Sequence, residues 1–275
     1  MSAPAIASTA LRLTGKDVLA VLHRVTTQKL DDLAPGRSRT TLFCEYRGRL
    51  LHRATVVHAP DGAVWLLRHD APGAELAAAV DRVVFREDVK IADRSGEFAV
   101  RLTSVLAPAD ATFAADGTPL LAGESEGFAL ALGAGARPSP EVDELARITA
   151  GHARHGTEVC DAFTPYDVNL SAHVHLDKGC FTGQEVLLRL VTRDKVLRRL
   201  VRVSGTGAAP EAQDVLSGGE TVGRLTSATA TTGGWIALAV MRNTALAAGD
   251  AFTLADGREL GGLHAFDISR PLGRG

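Results

Sequence analysis

The residues best suited to chemistry in this chain lie in the run DKGCFTGQEV, residues 177 to 186. Cys180, one of three cysteines, stands two residues ahead of a helix start that the pattern places at Thr182. Thr182, Gly183, Gln184 and Glu185 read as a capping box, the Thr182 hydroxyl accepting from the Glu185 amide and the Glu185 carboxylate from the Thr182 amide. Phe181 before the cap and Val186 four residues on complete a hydrophobic staple. A sulfur at that point feels the positive end of the helix dipole and the Lys178 ammonium, which both favour thiolate over thiol. Asp177 and Glu185 act in the opposite sense. Cys180 therefore reads as a nucleophile, as a soft-metal ligand, or as an inert buried thiol. Cys44, inside the β-pattern TLFCEY, and Cys160 take the last of these readings.

Other groupings carry weaker chemistry. His173-Val174-His175 places two imidazoles on one side of an extended segment, with Cys180 near in sequence, so a His-His-Cys metal site can be drawn beside the simpler reading of solvated histidines. His152 and His155, at the end of a helical pattern, suit bonding to its last carbonyls. Arg189, Arg193, Lys195, Arg198, Arg199 and Arg202 face one acid, Asp194; they read as a patch for a polyanion or as a solvated face. Trp65 and Trp235 fall in β-patterns and are expected to pack in cores.

The whole chain narrows the choices. Its 275 residues suit about two domains. Hydrophobic content of 45%, charged content of 23% and a net charge of −2 fit an ordinary globular protein and give no electrostatic reason to expect nucleic acid. The opening MSAPAIASTA has no basic region leading into an apolar run, and WIALAVM, residues 235–241, is too short to span a bilayer. Three cysteines without a C-x-x-C spacing exclude a disulfide framework and a self-contained four-ligand metal site, so a cytoplasmic setting without membrane contact is expected.

The elements that must position Cys180 follow from periodicity. Lys16 to Leu33 reads as a helix behind Thr14, fraying near Thr26 and Thr27. Between Ser38 and Arg68 the texture is β, three strands in two hairpins turning at Arg47-Gly48 and Pro60-Asp61-Gly62. Residues 72–85 read as an amphipathic helix opened by a proline. Short strands follow near 89–92 and 98–102, then loop and weak strand over 105–137. A loop ending near Ser139 and a helix from about Pro140 to 150, stopped by Gly151, come next. From 196 the chain becomes strand-like and glycine-punctuated, as in a small antiparallel barrel or sandwich. The expected division is 1–194, possibly two interleaved subdomains, and 195–275.

The unbroken run Lys178, Gly179, Cys180, Phe181, Thr182, Gly183, Gln184, Glu185 resembles the signature of the YgfZ family, the folate-binding, iron–sulfur-cluster-assembly relatives of the glycine-cleavage aminomethyltransferase, or T-protein. Weaker similarity covers most of the chain: the opening TGKDVLAVLHRVTTQKLDDL, Arg47-Gly48-Arg49 at the hairpin, ARITAGHARHGTE at 146–158, and Pro165 with Asn169-Leu170. The resemblance implies an α+β fold, a GcvT/YgfZ-like folate-binding domain of mixed sheets and helices followed by a small C-terminal antiparallel β-barrel. It implies tetrahydrofolate as ligand, with Arg147, Thr149, Glu158 and Asn169 as the binding residues, and a role with iron–sulfur assembly or client proteins. Cys180, with Lys178 beside it, is then the essential thiol or a shared ligand of a transient iron–sulfur cluster, the remaining ligands coming from a partner.

Two departures bear on that expectation. T-protein-like enzymes carry an aspartate pair four and five residues after the hairpin glycine, where this chain has His52 and Arg53. Neither replaces a carboxylate that manages charge on a reacting amine, which disfavours aminomethyl transfer, the alternative function. The family glutamate of R-I-E-x-G is Thr149 here, whose hydroxyl supplies one bond rather than a charged pair, so another acid such as Glu158 must act or folate affinity falls.

Overall fold

The computed structural model describes residues 7–103, 110–124, 127–134, 143–249 and 251–273. Its first sheet has five antiparallel strands: β1 (Thr9–Thr14), β2 (Ser38–Cys44), β3 (Leu50–His58), β4 (Val64–Arg68) and β5 (Lys90–Asp93), in the order β2-β3-β4-β1-β5. The three strands expected between 38 and 68 are β2 to β4. Helix α1 (Val18–Val25) packs Val18 and Leu22 into the core that Leu11, Leu13, Val56 and Leu66 line from the sheet. It is shorter than its periodicity suggests. Thr26 turns extended and returns its hydroxyl to the Leu22 carbonyl, while the Thr27 hydroxyl donates to the His173 carbonyl and accepts from the Leu42 amide. The Thr27 bonds tie the chain to His173 and Leu42, outside the helix, at the point where the periodicity would continue it. Helix α2 (Gly73–Asp81) likewise stops before the expected 85.

In the Ala- and Gly-rich middle of the chain the described residues form strands. β6 (Phe98–Thr103), β7 (Thr112–Phe113), β8 (Pro119–Gly123) and β9 (Ala129–Ala134) form a second antiparallel sheet, β6-β9-β8-β7. Val100, Ala122, Leu130 and Leu132 bury one face against Val57, Trp65 and Leu67 of the first sheet. Alanine has little strand preference of its own, so packing against the first sheet decides the outcome. The expected start of the next helix, near Pro140, lies outside the described residues. Helix α3 (Glu144–Ala150) is capped by Asp143, whose carboxylate accepts from the amides of Leu145 and Ala146, and ends at Gly151 with φ 74° as its sequence predicts.

Helix α4 (Gln184–Thr192) leads into a six-stranded antiparallel sheet of β10 (Arg198–Gly205), β11 (Asp214–Ser217), β12 (Glu220–Thr231), β13 (Gly234–Arg242), β14 (Thr253–Leu254) and β15 (Leu263–Ala265), interrupted by α5 (Asn243–Ala248). Trp235 lies in its core and donates Nε1–H to the Thr206 carbonyl, and Trp65 meets Phe98 edge to face, so both tryptophans pack as expected. The chain then returns to the first half. Leu272 donates to the Val174 carbonyl and accepts from the Leu176 amide. Among the described residues no helix is long and apolar enough to cross a membrane.

Candidate functional site

Cys180 is exposed, whereas Cys44 is buried and Cys160 half-buried. Burial pushes the Cys44 and Cys160 thiols up, which leaves both predominantly protonated near neutrality. The segment that carries Cys180 is clamped on both sides. Upstream, the Lys178 ammonium donates to the carbonyls of His23 and Thr26 at the C-terminal end of α1, the latter at 2.7 Å, and the His23 ring bonds the Lys178 carbonyl at 2.7 Å. Downstream, Gln184 Nε2 donates to the Leu176 carbonyl at 2.9 Å. Gly183, at φ 84°, lies so close to the β2–β3 turn that a Cβ there would sit 2.7 Å from the Glu45 carbonyl oxygen and 3.0 Å from the Gly48 Cα. Phe181 is buried and accepts the Lys178 ammonium over its ring at 5.2 Å. Lys178, Phe181, Gly183 and Gln184 thus build the mount, and Cys180, with Gly179 and Thr182, projects from it.

Two expectations fail here. The capping residue of α4 is Gly183, not Thr182, and no side chain caps the helix. Thr182 is exposed, and Glu185 pairs with Arg189 one turn on at 2.6 Å instead of returning to the Thr182 amide. The close approach of α4 to the hairpin turn requires a left-handed, Cβ-free residue immediately before the helix, and that requirement overrides the box. Lys178 is also not a free acid or base beside the thiol. Its ammonium satisfies carbonyls that the end of α1 leaves open, and burial lowers its pKa to about 8.

The four residues named for folate do not converge. Arg147 and Glu158 are both fully buried, 3.4 Å apart, and Glu158 also accepts from the Thr226 and Ser227 hydroxyls and the Arg154 amide. Glu158 is therefore saturated and does not offer an edge to a ligand. Thr149 is exposed at a separate cleft beside Arg202, which donates to its carbonyl. Asn169 takes φ 60°, tolerable for asparagine, and its side-chain oxygen accepts from the Ser269 amide.

What the structure brings together instead is a buried cluster that sequence reading did not assemble. Arg53 is 4% exposed and lies 3.7 Å from Asp70 and 3.5 Å from Glu124. His69 and His152 stand at 5.5 Å, with Phe128 edge-on to His152 at 5.1 Å. His52 stacks on His155 at 5.5 Å, and the Arg68 guanidinium reaches both rings, at 3.2 and 3.5 Å. His152 and His155 thus turn inward rather than toward the end of α3. The available signal was Arg68-His69-Asp70, three ionisable residues ending the wholly apolar run VWLL.

Among the described residues, Arg53 Nη1, His69 Nε2 and Asp70 Oδ1 are buried without a hydrogen-bond partner. Burial drives His52 and His69 from an ordinary 6.5 to about 4. Burial alone would raise Asp70, yet His69, Arg53 and the His155 amide hold it well below the carboxylate range. The unfolded chain takes up protons on these histidines more readily, so their contribution to stability is complete above about pH 6.5 and is lost as pH falls toward 4. Calorimetric melts should show a midpoint lowered by about 5 °C between roughly pH 7 and pH 5. Unchanged midpoints would mean that the rings are hydrated.

Among the described residues, the group within mutual metal-binding reach is His52, Glu75 and His155, not His173, His175 and Cys180. Arg68 Nη1 lies against the Nδ1 atoms of both imidazoles, and a fixed guanidinium at that distance opposes a second cation.

Residues 198–267 match the family described as CAF17, C-terminal beta-barrel domain. An aminomethyltransferase of Thermotoga petrophila is 34% identical over 137 residues, 48% of this chain and 36% of that protein. A chloroplastic protein of Arabidopsis thaliana, provisionally named as a transferase, is 25% identical over 259 residues. That alignment covers 80% of this chain and 59% of the plant protein, so the chain spans less than two thirds of either curated relative. The glycine cleavage system aminomethyltransferase T from Bartonella henselae superposes with a TM-score of 0.73 at 15% identity, covering 98% of this chain and 87% of that one. The chain is similar to aminomethyltransferases, in sequence over part of its length and in fold over nearly all of it. The aminomethyltransferase-like fold carries the α+β character expected from sequence, mixed sheets with few helices and a C-terminal β-barrel domain. Within that fold, the positions where the resemblance implies two aspartates hold His52 and Arg53, both turned into the buried cluster.

Proposed function

We propose that this aminomethyltransferase-like chain is a YgfZ-like accessory factor that assists assembly or repair of iron–sulfur enzymes, with Cys180 as its working thiol. The observation that carries this reading is a solvent-facing cysteine on a segment clamped at both sides, while the other two thiols are buried or half-buried. The residues of K-G-C-F-T-G-Q-E divide accordingly between mount and reagent. A single thiolate does not complete a cluster, so the iron–sulfur cargo is held jointly with ligands from a client or a small thiol. Aminomethyl transfer is less well supported, because His52 and Arg53 stand where the resemblance implies the two aspartates that would manage charge on a reacting amine. The test is complementation: cells lacking the factor should regain iron–sulfur enzyme activity with the wild-type chain and not with Cys180→Ala. Equal rescue by both would refute the role, and steady aminomethyl turnover by the purified protein would favour the transferase.

A folate ligand is supported by one observation, the unpartnered Asp70 Oδ1, His69 Nε2 and Arg53 Nη1. Together they offer an acceptor and donors of the kind that a pterin edge requires. Of the residues assigned from the resemblance, Glu158 is saturated and Thr149 lies at a separate cleft, so this reading turns to the cluster instead. In calorimetry with tetrahydrofolate, Asp70→Asn should weaken binding by about tenfold or more, whereas Thr149→Glu should leave it unchanged. The reverse pattern would return the site to Thr149.

A further inference from the structure

Apart from the cysteine segment and the buried cluster, the chain encloses a cavity of about 500 Å³ between α4, the start of β10 and the returning C-terminal segment. Its volume is ordinary for a small-molecule site. The body is apolar, formed by Leu188, Val196, Leu200, Phe266 and Ile268. Two polar groups in the wall are incompletely bonded: the Tyr166 hydroxyl, on a side chain 6% exposed, and the Asn243 Oδ1, whose amide nitrogen is already spent on the Val196 carbonyl. Buried polar atoms seldom go without a partner.

The charges in the wall are unequal. Arg198 is paired with Asp167 at 3.0 Å, but Arg199 and Arg270 make no hydrogen bond or ion pair among the described residues, and Asp194 is the one carboxylate in the wall. Guanidinium groups grip carboxylates through paired N–H donors, and they hold an anion best beside surfaces that exclude water. Ile268 and Val191, 62% and 38% exposed, extend the apolar surface outward from the cavity. Asn169, although in the wall, has its side-chain oxygen committed to Ser269.

We propose that this cavity is a binding site for a small amphipathic carboxylate, an apolar chain or ring held by the leucine and phenylalanine walls with its carboxylate on Arg199 and Arg270. The site is independent of Cys180 and of the Arg53 cluster, so its fate does not decide theirs. The probe is decanoate, with decanol as its uncharged counterpart, titrated calorimetrically into the full chain. Decanoate should bind once per chain and saturably, and decanol about tenfold or more weaker. The double variant Arg199→Gln, Arg270→Gln, which removes no hydrogen bond or ion pair among the described residues, should weaken decanoate by a similar factor without affecting decanol, and Val191→Trp should reduce both by filling the mouth. Absence of saturable binding, equal affinity for acid and alcohol, or indifference to the arginine variant would each overturn the proposal.

Discussion

Cys180→Ala is expected to abolish support of iron–sulfur enzymes while leaving the fold intact. The side chain is exposed, and substitutions at such positions ordinarily move stability by no more than about 0.5 kcal/mol. A loss of function is then a loss of sulfur chemistry rather than of folded protein, and a melting curve recorded beside the complementation assay separates the two. Cys160→Ala is the matched control, since that thiol is half-buried, donates to the Thr157 carbonyl and has a raised pKa. Mass spectrometry after brief iodoacetamide treatment should find label at Cys180 before Cys160, and at Cys44 last. Labelling in the opposite order, or wild-type rescue by Cys180→Ala, would remove the thiol from the mechanism.

The largest effect on stability is expected at Arg53. Its guanidinium is the cation between Asp70 and Glu124, and all three side chains are almost entirely withdrawn from water. Arg53→Leu strands two carboxylates in a medium that charges them poorly, a change that costs about 3–5 kcal/mol when one partner of a buried pair is removed. In a chain of this length the melting midpoint should fall by about 5–10 °C. Adding Asp70→Asn to Arg53→Leu should recover part of the loss, because the second change removes one of the stranded charges. A double variant less stable than the wild-type chain by the sum of the two single costs would show that the groups do not act together.

Much of this architecture was legible from the chain alone. The three strands between 38 and 68 announced themselves through β-branched and aromatic residues and two turn signals, and α3 through the stop at Gly151. Cys180 stood out because local rules placed a thiol at a structural junction. The rest depended on contacts distant in sequence. Nothing near Lys178 says that its ammonium will close α1, more than 150 positions earlier, and nothing near Thr182 says that α4 will press against Gly48 and demand a glycine cap. The Arg53 cluster was invisible for the same reason, its members arriving from β3, the end of β4, the second sheet and the turn after α3. In the second sheet, alanines with weak preferences of their own became strands because a neighbouring sheet offered them a surface.

The return of the chain to Val174 and Leu176 reaches beyond packing. Backbone bonds from Leu272 lace the segment that follows the barrel to the stretch that, four residues on, presents the sulfur. The two halves are sewn rather than hinged, so a protein that seizes the barrel also tugs, through main-chain bonds, on the loop where cargo would be exchanged.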